Sequence, residues 1–179
     1  MKKSHGVVLG FFVVALAAYT FASPYLALKD LRAAAQAGNA EGISDHVDFP
    51  AVRESLKNSV NAMVAKDIER KGDGKYAKLG AAFASAFTGP LVEAYVTPQN
   101  IARMVQGQKV DPMFGKGQEA PPADAAGKPA FRERYETMGR FVVESVGRDK
   151  DGKETVTGFV FSRQGLFGWK LTSLRLPNL

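Results

Sequence analysis

No cysteine occurs in the sequence, and histidine occurs only twice, as His5 and His46. The first absence excludes a disulfide framework, a thiolate metal site and a cysteine nucleophile. With two histidines, a histidine-rich metal site is out of reach as well. There is also no GxSxG, no Walker glycine loop, no HExxH and no GxGxxG, so the spacings that present a hydrolase serine, cradle phosphates, hold a protease zinc or seat a dinucleotide are missing. Internal repeats and blocks of Lys or Arg are absent too. The formal charge is +6, but Lys2 and Lys3 precede an apolar run, and setting them aside leaves 22 basic residues against 18 acidic. So small and dispersed an excess reads as solvated surface, not as a nucleic-acid interface. No cofactor, metal or nucleic-acid partner is expected.

What is present begins with MKKSHGVVLGFFVVALAAYTFASPYLA. Two lysines are followed by Gly6 to Ala22, seventeen residues without a charge, about the minimum that crosses a hydrocarbon core. Tyr19 and Tyr25 stand where interfacial aromatics would. Thr20-Phe21-Ala22 also fits a signal-peptide cleavage site, which would make Ser23 the new N-terminus. The preferred reading is an uncleaved signal anchor. Either way the lysines hold the N-terminus in the cytoplasm and the rest of the chain crosses, giving a single-pass protein of a bacterial inner membrane with its C-terminal domain in the periplasm. The alternative is secretion to the periplasm after cleavage near Ala22.

At 179 residues, the exported part has room for one full-sized domain. Ser23-Pro24 has the form of a helix start, an N-cap followed by proline in the first turn. Leu28, Leu31 and Ala35 continue at helical spacing to Gly38. Asn39 caps a short helix over 40–45. The clearest periodicity follows, with Val52, Leu56, Val60, Met63, Val64 and Ile68 on one face of a long helix that should end near KGDGK, 71–75. YAKLGAAFASAF, 76–87, predicts a buried helix rich in small residues, too short to span a membrane, and Thr97-Pro98 opens another. Residues 107–130 hold four glycines and four prolines, which marks a loop or linker.

Beyond it the period changes to two. Phe141 to Val146, Thr155 to Phe161 and Trp169 to Leu176 read as three strands joined by turns at DKDG (149–152) and RQG (163–165). The expected organisation is a membrane segment (1–22), a helical part (23–106), a flexible loop (107–130) and an antiparallel meander (131–179) completing the same domain. The fold class is α+β, with several helices packed on a three-stranded sheet.

The densest cluster of potentially reactive groups is DHVDFPAVRESLK, 45–57. A catalytic reading makes His46 a general base oriented by Asp45 or Asp48, but it lacks a nucleophile or metal. The structural reading makes Asp48 the N-cap of the long helix, with Val47 and Val52 as a hydrophobic staple and Arg53 and Glu54 pointing outward. That reading is preferred, and His46 remains as a titratable candidate. Arg132, Arg134, Arg140, Arg148, Arg163 and Arg175 either line a sheet face that receives anionic ligands or lipid headgroups or are solvated by strand alternation. Phe167 and Trp169 either form a ligand platform or fill the core.

SPYLALKDLRAAAQAGNAEGISDHVDFPAVRESLK and VFSRQGLFGWKLTSLRLP resemble the bacterial family labelled domain of unknown function 2939. The resemblance implies a small envelope protein with an N-terminal membrane segment, and carries no activity or catalytic residue with it. The helix-AGN-helix opening is similar to the start of the conical α+β folds related to nuclear transport factor two, which often hold an apolar pocket. Two functions follow as expectations. The first is a non-enzymatic, membrane-anchored protein that contacts the membrane through residues 6–22 and binds an envelope protein or a lipid surface. The second is a small-molecule module or enzyme with a pocket that includes Tyr95, Phe159, Trp169 and Arg163.

Overall fold

The computed structural model describes residues 2–71, 86–108, 110, 130–148 and 154–176. The helices are α1 (Lys2–Gln36), α2 (Ala40–His46), α3 (Phe49–Lys71), a segment over 86–95 termed α4, and α5 (Pro98–Val105). The strands are β1 (Ala130–Thr137), β2 (Arg140–Arg148), β3 (Glu154–Gln164) and β4 (Gly168–Arg175). The expected KGDGK loop, most of the YAKLGAAFASAF helix, nearly all of the 107–130 loop and the DKDG turn lie outside the described residues.

Ser23-Pro24 does not start a helix. α1 is continuous from Lys2 to Gln36 with Pro24 inside it. An interior proline lacks the N–H that would bond the carbonyl four residues back, here that of Thr20. The Ser23 hydroxyl donates to Thr20 O instead, at 2.8 Å. The next carbonyl, Phe21 O, accepts from the Tyr135 hydroxyl at 2.7 Å. α1 stops where the spacing predicts: Gly38 adopts φ 64°, and Asn39 N bonds Ala34 O while Gly38 N bonds Ala35 O. This is the paired closure that a left-handed glycine permits.

Asn39 Oδ1 then caps α2 by accepting from Gly42 N. Val47 forms a parallel bridge with Leu171, and Asp48 N donates to Leu171 O, so the chain pairs with the free edge of β4 before turning into α3. Asp48 Oδ1 accepts from Ala51 N at 3.0 Å, and Val47 and Val52 are both buried.

Among the described side chains of α3, which do not include the expected stripe residue Ile68, only Val52 and Leu56 are fully buried. Val60 and Val64 are half-buried and Met63 is exposed. Ser55 meets Ser173 at 2.6 Å, two residues before β4 ends, whereas α3 continues to Lys71. The helix outruns the sheet that would cover it.

The sheet has four antiparallel strands in the order β1-β2-β3-β4, one more than the three expected. β1, AFRERYET, offers only Phe131 and Tyr135 as large apolar residues, with three charged residues between them, so period-two alternation is hidden. It is an edge strand, and charge on an edge is a common protection against unwanted pairing.

One face of the sheet carries Phe141, Val143, Phe159, Phe161, Leu171 and Leu174. These form a single core with Leu28 and Leu31 of α1, Ile43 of α2 and Ile101 of α5. On the opposite face Val142 and Val160 are also buried. The Arg175 side chain provides cover there by running over Gly158, where an added Cβ would stand 3.2 Å from Arg175 Cβ, and binding both oxygens of Glu136 at 2.6 and 3.0 Å. Arg175 and Glu136 lie on opposite edge strands, nominally about 14 Å apart at ~4.8 Å per strand. Their contact requires the sheet to coil, and the register shifts at Glu136 and near Thr172 are the kind of bulge that increases twist.

Candidate functional site

A meander places alternate turns at one end of the sheet. Here these are the β1–β2 turn at Met138-Gly139 and the β3–β4 turn at Gly165-Leu166-Phe167, two residues later than the RQG turn expected from the sequence. Gly165 supplies the left-handed residue, φ 67°. Arg163 joins the two turns. Its backbone N donates to Gly139 O at 2.9 Å, its Nε to Met138 O at 3.1 Å, and its Nη1 to Leu166 O at 3.0 Å. The guanidinium also lies 4.9 Å from the Trp169 ring centre, a cation–π distance.

α1 enters the domain against this end. Trp169 is buried and its Nε1 donates to Ser23 Oγ at 2.8 Å, so one hydroxyl accepts from the indole and donates to Thr20 O. Tyr135 packs edge-on against Phe21, Phe141 and Trp169 while its hydroxyl holds Phe21 O. Burial pushes the Tyr135 pKa up, with Arg163 pulling weakly the other way, so the phenol is a hydrogen-bond donor at neutral pH. Tyr19 contacts Phe167, ring centres 5.3 Å apart, and Tyr25 contacts Phe141 at 4.8 Å. The junction is a collar of aromatic rings in which the Tyr135 hydroxyl and the Trp169 indole N–H are both hydrogen-bonded. Its chemistry is that of a rigid joint: Ser23 donates to a carbonyl and accepts from an indole, which is not the arrangement of an activated nucleophile.

The residues singled out from the sequence are dispersed. Trp169 and Arg163 meet at this junction. Phe159 sits mid-strand in the core opposite Val143 and Leu174, and Tyr95 closes α4, buried in the same core. His46 is the half-buried last residue of α2, and the Asp48 carboxylate is occupied as the α3 cap. Arg53, expected to point outward, instead donates to Val96 O at 3.1 Å. Ser23 and Tyr135 were not singled out as site residues, since nothing local to either announces the other.

Two further features complete the surface. A shallow groove of about 560 Å³, open to solvent, follows one stripe of α3 from Ala51 through Ser55 and Asn58 to Ala62. On the outer sheet face Arg134, Arg140 and Arg175 surround Glu136, and Arg134 also pairs with Glu144. Most of the late arginines are thus engaged with carboxylates. Among the described residues no group of three or more His, Asp or Glu is placed to hold a metal ion.

No curated protein matches the chain, and no solved structure does. A family described as "Protein of unknown function (DUF2939)" matches residues 13–104, from a third of the way along α1 to the last turn of α5. The helical stretch that carried the resemblance falls inside the match and the β3–β4 stretch falls outside it. With just over half of its length matched, the chain belongs to the DUF2939 family.

Proposed function

We propose that this protein is an uncleaved, single-pass membrane protein whose α+β domain is held at the far side of a bacterial inner membrane, where it binds an envelope partner or the lipid surface without catalysing a reaction. The observation that carries the anchor is the continuity of α1. The helix runs unbroken from an exposed apolar stretch that includes Phe11, Phe12, Val14 and Leu16 into the buried Ser23, Pro24, Leu28 and Leu31. It is apolar and long enough to cross a membrane.

Cleavage after Ala22 would cut the helix where it enters the domain. It would remove Phe21 O, the acceptor for Tyr135, and leave a charged amine on the buried Ser23 beside Trp169, a costly place for an unpaired charge. Lys2 and Lys3 favour a cytoplasmic N-terminus. The non-catalytic part of the reading rests on Ser23, Tyr135, Arg163 and Trp169 at the junction, whose side chains all make structural hydrogen bonds.

The test is the intact mass of protein extracted from membranes, together with topology fusions at Leu179. A full-length chain with an active alkaline phosphatase fusion is expected. A chain starting at Ser23 would overturn the anchor, and an inactive phosphatase fusion would overturn the topology.

A further inference from the structure

We propose that the turn end of the sheet is a lipid-contact surface, with Met138 and Leu166 set into the membrane interface beside α1. The proposal rests on the anchor reading and adds the depth and orientation of the domain.

The two turns are unusual in what they expose. Turn tips normally carry small polar residues, yet Met138 is 77% exposed, Leu166 75% and Phe167 37%. All three stand at the end of the sheet where α1 emerges, since Phe167 touches Tyr19 and Arg163 ties the Met138 carbonyl to the Leu166 carbonyl. With the exposed Tyr19 and Phe21 they make one apolar and aromatic rim around the helix. Large contiguous apolar surface marks an interaction site, and aromatic rings around a membrane helix suit the headgroup level.

Length points to the same occupant. From Gly6 to Tyr19, where the domain first touches α1, there are 14 residues, about 21 Å of helix at 1.5 Å per residue. The hydrocarbon core is about 30 Å thick. Twenty residues counted from Gly6 reach Tyr25, one and a half turns inside the domain contact. A bilayer of ordinary thickness therefore meets the turn tips unless it thins or the helix is drawn through it. The residues just behind the tips suit the next layer: Arg140, Ser162 and Lys170 lie in register across β2, β3 and β4, with both cations on the outer face and Arg140 3.9 Å from the Glu136 carboxylate. Arg140 stands two residues from Met138 and Lys170 three from Phe167, so with the tips in the interface both cations face the headgroup layer.

The chain has no cysteine, so single-cysteine labelling tests this directly. Full-length M138C, L166C, F11C and Q36C proteins are labelled with an environment-sensitive fluorophore and reconstituted in phosphatidylcholine–phosphatidylglycerol vesicles containing lipids spin-labelled at shallow or deep positions. The first two side chains are largely exposed, so the fold tolerates the change. Expected are blue-shifted emission and shallow quenching at 138 and 166, deep quenching at 11, and neither at 36. Deep quenching at 11 with emission at 138 and 166 like that at 36 overturns the proposal and leaves the anchor standing. Quenching at 138 and 166 but not at 11 supports the lipid-contact surface and overturns the anchor. No quenching at any of the four overturns both.

Discussion

Ser23 owes its importance to its neighbour. Pro24 leaves Thr20 O without its helical partner, and the Ser23 hydroxyl fills that vacancy while accepting the Trp169 indole. S23A leaves a half-buried acceptor and a buried donor unpaired, so a loss of about 1–3 kcal/mol is expected. The sole tryptophan reports it, as a shift in the denaturation midpoint followed by Trp169 fluorescence in detergent. At Asp48 the expectation is smaller. D48A removes a cap hydrogen bond and should cost about 1 kcal/mol, while H46A at the end of α2 should cost less. The reverse ranking in the same denaturation assay would restore interest in His46 as a functional group. Asp48 was legible because a cap is a local matter of a carboxylate, its spacing and a proline. Ser23-Pro24 has the same local signature and was misread, because the Ser23 hydroxyl donates back to Thr20 O instead of capping forward, and the Trp169 indole that donates to it belongs to a strand more than a hundred residues away.

Among the elements, β1 shows why charge on a strand obscures it. Its Arg134 and Glu136 face other charged residues across the sheet, and the alternation that revealed β2, β3 and β4 has no apolar counterpart there. Arg175 donates to Glu136 and, with Arg134 and Arg140 nearby, holds the Glu136 carboxyl below the usual glutamate range. A lowered folded pKa contributes stability that is complete above the unfolded value of about 4.3 and is lost as the pH falls through the folded value. The wild-type protein should therefore lose stability below about pH 4, and E136Q should show a flatter acid limb with a loss of about 1 kcal/mol at pH 7, since these groups are partly screened by solvent. An acid limb unchanged by E136Q in pH-dependent denaturation would argue against this carboxylate. G158V should destabilise by about 1–3 kcal/mol, because the Cβ meets the Arg175 stem that crosses the sheet. α3 teaches a related lesson: its six-residue apolar stripe was plain, but how much of it is covered depends on where β4 ends.

For the whole molecule, the long-range connections join residues 23–55 to the C-terminal strand β4. Val47 and Asp48 bond Leu171, Ser55 meets Ser173, and Trp169 holds Ser23. A helical part and a meander so interleaved should unfold together. Trp169 fluorescence and the far-ultraviolet circular dichroism change are expected to give coincident transitions, apart from residual helix signal from α1 in the micelle. Two separated transitions would divide the chain into independent units. By itself the sequence determined the helical spacing, the caps, the alternating strands, the charge-free N-terminal run and the family, because each is written in neighbouring residues. Only the tertiary structure decided that α1 passes through Pro24, that a charged fourth strand completes the sheet, and that two apolar turns stand beside the helix where it leaves the domain. Each of those depends on hydrogen bonds and burial between segments far apart in the chain, and no local pattern encodes which distant partner will supply them.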